Sequence, residues 1–246
     1  MTIRRNIFHD LPTSRGSRNQ SAIMFVNSHG RLGEHIAIQD NVFRDINGYA
    51  VISYTTRKVL FENNLIEDCD SRSPGIGPKM DNQMWFIRAN TARRIKNQRV
   101  VWLYNAGART ADQEVSYNLV DTPDAGAAFI ANQSASKVTG KAYVFRNTFA
   151  GPAVFVRVLP TQGPFYVYDN VFVREEGKPA LTFRNKCDLS RTVEFDNLVV
   201  RPDQVDDRLR LKGDVARYAG TRGYESRKTS PPSPKPARDK GKQSAR

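Results

Sequence analysis

The chain has 246 residues, 39% of them hydrophobic, with a formal net charge of +13 and a mean hydropathy of −0.57. No stretch of eighteen apolar residues occurs, which excludes a membrane-spanning helix. The positive charge is gathered at the end, where residues 208–246 hold 12 Lys/Arg against 3 Asp/Glu, leaving 26 against 22 in the body.

From its first residues the chain repeats one phrase: apolar, any, apolar, two polar, Asn, any, large apolar. The Asn falls at 6, 41, 64, 90, 118, 147, 170 and 197, at intervals of 35, 23, 26, 28, 29, 23 and 27 residues. The residue two places on is large and apolar except at Ala92. A second run, usually led by Ala, recurs in step, at Ala22, Ala50, Gly75, Val100, Ala127, Ala153 and Ala180. Period-two alternation within each run argues for strands, and a fixed period in the twenties argues for a solenoid. The fold expected is all-β, a right-handed parallel β-helix of about seven coils with three short strands per coil. Asn is placed at the corner between the second and third strands because it tolerates the left-handed conformation, and stacked Asn side chains would hydrogen-bond as a ladder.

Along the chain, Met1, Ile3, Asn6 and Phe8 already obey the repeat, so neither a signal peptide nor a capping segment is recognised. His29 and His35 fall in and beside an insertion at Ser28–Glu34, but as a metal pair they lack a third ligand and read as solvated loop residues. Gly75-Ile76-Gly77-Pro78-Lys79 breaks the apolar pattern and marks a site or a kink. Cys69 and Cys187 fall more than four coils apart, too far for a disulfide at roughly 4.8 Å per coil. In Thr192–Val200 the apolar residues shift one place, which predicts a distorted last coil. The expected organisation is a β-helix over 1–205 lacking its N-terminal cap, a closing segment over 206–223 and a basic disordered tail over 224–246.

The phrases FENNLIED, FRNTFAG and YDNVFVR resemble those of the pectate-lyase-like superfamily of right-handed parallel β-helices, over residues 1 to about 200. The resemblance implies an exported protein, extracellular or periplasmic, with a substrate groove on the sheet of Ala-led strands. Counting from the leading residue, the second and fourth places of those strands are expected to face outward. They bring out Tyr54, Trp102, Phe129 and Phe155 with Lys79, Tyr104, Arg157 and Arg184. The first and third places, among them Ile23, Phe25, Val51, Ile76, Val101, Leu103, Ile130, Val154, Val156, Leu181 and Phe183, are expected in the core.

Aromatic rings stack on sugars, and Arg forks bind carboxylate or sulfate, so the expected partner is an acidic polysaccharide. These outer columns hold no carboxylate pair for hydrolysis. β-Elimination needs only a base and a cation, for which Lys79 is the candidate base and Tyr104 the candidate acid. The alternative is a non-catalytic β-helix that binds glycans or mediates surface contacts. No cofactor is expected, and no ligand cluster supports a Ca2+ ion. The chain is expected to be a monomer with no membrane partner, and no motif in its tail points to nucleic acid.

Overall fold

The computed structural model describes residues 1–12, 20–26, 33–69, 75–78, 83–96, 99–103, 112–122, 127–131, 140–151, 154–156, 164–183 and 189–212. For Ala127–Ala131, Val154–Val156, Pro78, Gln83, Arg99, Trp102, Leu103 and Phe183 only the backbone is described. Every third strand pairs with the next of its kind, and all the ladders between strands are parallel, which gives three long sheets. The first sheet runs from Thr2–Arg4 through Gly33–Gln39, Thr56–Glu62, Gln83–Arg88, Gln113–Ser116, Ala142–Phe145 and Phe165–Tyr168 to Thr192–Phe195. The second begins at Ile7–Leu11 and ends at Leu198–Val200. The third, of Ala-led strands, runs from Ser21–Phe25 to Leu181–Phe183. Among the described residues two sheets hold eight strands and the third seven, where about seven coils were expected.

Alternation decides which face is buried. Ile36, Ile38, Val59, Phe61, Trp85 and Ile87 of the first sheet point inward and are buried. In the second sheet Phe8 stacks on Phe43 at 5.0 Å, and Phe149 on Phe172 at 5.3 Å. Ala92, the lapse in the repeat, lies between Ile66 and Val120 and leaves a small apolar void lined also by Val101, Val115 and Phe149. In the third sheet Ile23, Val51, Ile76, Val101 and Leu181 are buried as expected, and Phe25 packs partly buried against them. The side chains of Leu103, Ile130, Val154, Val156 and Phe183 lie outside the described residues.

The eight Asn residues form one ladder. Each Oδ1 from Asn41 to Asn197 accepts from the backbone N–H and the Nδ2 of the Asn one rung before it, as Asn118 does from Asn90 at 2.9 and 3.0 Å. The corner conformation differs from expectation. The residue before each Asn, not the Asn, is left-handed: Arg5, Asp40, Asn63, Ala89, Tyr117, Arg146, Asp169 and Asp196 have φ between 51 and 59°. A residue with a Cβ spends about 1–2 kcal/mol there. The double hydrogen bond of the following Asn offsets that cost, so ladder and corner are separate tasks of adjacent residues.

The last coil keeps its backbone register, with Val167 opposite Glu194 and Tyr168 opposite Phe195. Its side chains are inverted: Thr192 and Glu194 occupy the inner column, while Val193 and Phe195 face out, 38% and 45% exposed. Val205, Leu209 and Leu211 pack with Ala150, Val171, Val173 and Val200, on the outside of the second sheet.

Candidate functional site

The third-sheet stripe is described only in part. Lys79, Tyr104, Arg157 and Arg184 lie outside the described residues, as do His29 and Cys187. Pairing aligns Trp102 with Ile130 and Ile130 with Phe155, in the column of Met24, Ile52, Gly77 and Thr182. Phe129 pairs instead with Val101 and Val154, in the column of the buried Ile23, Val51, Ile76, Val101 and Leu181. Counting from Ala127 sets that strand one place off, and a slip of one exchanges the faces. Phe129 and Ile130 therefore trade the columns expected for them. Tyr54 is half-buried, its N–H donates to Phe25 O at 2.9 Å, and burial pushes its hydroxyl pKa up.

This outer column is covered at its second and third rungs, where Ile52 and Gly77 are both buried. A Cβ on Gly77 would stand 2.5 Å from Tyr49 Cε1, so glycine is required there by the ring of the preceding coil. The break in pattern at Gly75–Pro78 thus has a packing cause at Gly77.

A charged cleft lies at the corner after the second sheet, lined by Asp45, Asn47, Asp68, Cys69, Arg94 and Lys96. Glu67 beside it is buried between two guanidiniums, paired with Arg44 from the coil before and with Arg94 Nη2 from the coil after at 3.1 Å. Arg94 also grips Asp68 through two hydrogen bonds of 2.5 and 2.7 Å, which hold the Asp68 carboxyl below its ordinary range. Cys69 is buried, and desolvation pushes its thiol up to about 11, so it is neither a thiolate nor a ready nucleophile. The cleft's cations are matched by acids, and its residues tie successive coils together.

The outer face of the first sheet carries aromatic columns that the sequence reading passed over. Tyr143 stacks on Tyr166 at 5.1 Å; Phe145 stacks on Tyr168 at 5.1 Å, and Tyr168 on Phe195 at 4.8 Å. Tyr117 meets Phe145 edge-on at the corner, and its hydroxyl accepts from Arg146 at 2.7 Å. Burial pushes Tyr168 up to about 12. The signal was present as alternation in Tyr143-Val144-Phe145 and Tyr166-Val167-Tyr168.

Among the described residues no group of three or more His, Cys, Asp or Glu could hold a metal ion. His9 and His35 are exposed, and each stands beside a single acid, Asp10 and Glu34.

These features define a parallel β-solenoid with an apolar interior, an Asn ladder at one corner and stacked aromatic columns on an outer face. The sequence pattern of the family described as periplasmic copper-binding protein (NosD) matches residues 1–170, and the chain belongs to that family. No curated protein matches the chain, and no solved structure does.

Proposed function

We propose that this NosD-family solenoid is a periplasmic binding protein for an acidic polysaccharide, held on the outer face of the third sheet. The observation that carries the proposal is the column of Trp102, Ile130 and Phe155, three uncharged bulky residues in register on consecutive parallel strands. Arg157 and Arg184 follow the strands Val154–Val156 and Leu181–Phe183 in sequence and supply the cations for a carboxylate or sulfate. Right-handed coils, as most parallel crossovers have, and a place in the wider pectate-lyase-like superfamily are part of the same proposal.

Cleavage is the finer form. Lys79 takes the proton beside the sugar carboxylate, a carbon–carbon double bond forms as the glycosidic C–O bond breaks, and Tyr104 protonates the departing oxygen. The test is retention on alginate, pectate, chondroitin and heparin together with absorbance of unsaturated product. Arg157→Ala and Arg184→Ala should weaken retention with little loss of melting temperature. Lys79→Ala should abolish product and spare retention. Retention of the wild type by none of the four sets the proposal aside. Retention without product leaves the non-catalytic form.

The family description favours a second function, copper binding. Copper seeks thiolate, thioether and imidazole donors gathered within one coordination shell. Among the described residues the thiol and imidazole donors do not fit: Cys69 is a buried protonated thiol, and no group of three or more His, Cys, Asp or Glu gathers at His9 or His35. Copper titration followed by chelator competition measures whether the whole chain binds the metal.

A further inference from the structure

We infer a second glycan-binding surface, on the outer face of the first sheet, built from Tyr143, Tyr166, Phe145, Tyr168 and Phe195 and selecting sugars by ring contact rather than charge. The inverted last coil is the first reason. In Thr192–Phe195 the inner column is given over to Thr192 and Glu194, while Val193 and Phe195 extend the outer columns and remain 38% and 45% exposed. Thr192 is only part-buried and Glu194 is exposed, so polar groups in this end coil cost little, whereas Val193 and Phe195 gain only part of the burial that stabilises apolar groups. Apolar side chains left exposed in the outer columns point to a task outside the solenoid.

Geometry gives the second reason. Centroids 4.8–5.1 Å apart with planes 5–8° from parallel place one ring per rung along each column. A pyranose in an extended β-linked chain is about as long as one rung is high. A polysaccharide lying along the solenoid axis therefore meets an equivalent ring at each sugar. At that spacing the rings are offset, and each leaves part of its face and edge for C–H contact.

Charge selects the ligand. Arg88 pairs with Glu114 at 2.7 Å, and Arg146 faces Asp169 at 3.8 Å. Asp112 and Lys141 both act on Tyr143 at one end, where Lys141 N–H donates to Asp112 Oδ1 at 3.0 Å, and Asp196 acts on Asp169 at the other. Among the described residues Arg88, Lys141 and Arg146 thus meet Asp112, Glu114, Asp169 and Asp196, and an anionic chain would find no surplus cation. A neutral β-linked polysaccharide is the matching occupant, and its binding is insensitive to salt.

Affinity electrophoresis of the full chain in gels containing hydroxyethylcellulose or galactomannan, with alginate gels in parallel, tests this. The wild type should be retarded by a neutral glycan equally at low and high salt. Tyr143→Ala/Tyr166→Ala should lose roughly tenfold in retention, the loss of about one stacking contact. Val42→Ser on the outer face of the second sheet should lose none. If the double variant fails to fold, Phe195→Ala at the exposed end of the column should still weaken retention. Retardation by no neutral glycan, or variants retained as the wild type is, would overturn the inference. Salt-sensitive retention by alginate alone, unchanged in these variants, would overturn it too while leaving the acidic-polysaccharide proposal standing.

Discussion

Asn90 Oδ1 accepts two hydrogen bonds from Asn64, from its backbone N–H at 2.9 Å and from its side-chain Nδ2 at 3.0 Å. Both residues are buried, and Asn64 Nδ2 also donates to Ile38 O at 2.9 Å. One side chain therefore joins three successive coils. Replacing Asn90 with Ala strands two buried donors, each worth about 1–3 kcal/mol when unsatisfied. Urea unfolding of Asn90→Ala should show a loss of at least about 2 kcal/mol. Asn197→Ala, at the exposed end of the ladder, should lose less.

Gly77 and Tyr49 test the close approach in the third sheet. Gly77→Ala would push its methyl into the Tyr49 ring and should cost about 1–3 kcal/mol, as overpacking does. Adding Tyr49→Leu should recover part of the loss that Gly77→Ala causes. Additive losses in the double variant would show that the two residues do not touch.

The void beside Ala92 should accept a larger side chain. Ala92→Val restores the bulk that Ile66 and Val120 carry on adjacent rungs, and thermal unfolding should show a gain of about 0.5–1 kcal/mol. A lower midpoint would show that the void is closed in solution.

Acid should destabilise the solenoid from a definite point. Asp40 is held below the ordinary 3.8 by hydrogen bonds from Asn63 and Arg4, and Asp68 by Arg94. Asp206 is lowered to about 2, chiefly by the backbone N–H of Arg210. A carboxyl lowered on folding contributes stability above its unfolded pKa and loses it as pH falls through the folded value. These three therefore contribute nothing to any loss between neutrality and pH about 5, and their contributions disappear below about 3.8. Asp68→Asn should flatten the acid limb of a melting-temperature profile.

The ladder was legible because chemistry fixed the residue type: only Asn offers an acceptor for two donors and a donor for a third group in that small space. The left-handed corner beside it was not legible, since Arg, Asp, Asn, Ala and Tyr all stand there and geometry alone defines the position. Doubled Ala127-Ala128 hid the strand's register, so Phe129 and Ile130 exchanged columns. The Gly75–Pro78 irregularity was visible, but its partner Tyr49 lies one coil away and only the pairing reveals it. The charged cleft was invisible for the same reason: Asp45, Asp68 and Arg94 meet only when coils stack.

Retention on an alginate gel, run once with copper supplied and once with a strong chelator, tests the central claim most directly. A solenoid that binds acidic polysaccharide through side chains on its third sheet should be retarded equally in both gels. Absence of retardation in both, with tight stoichiometric copper uptake by the same preparation, would contradict the account.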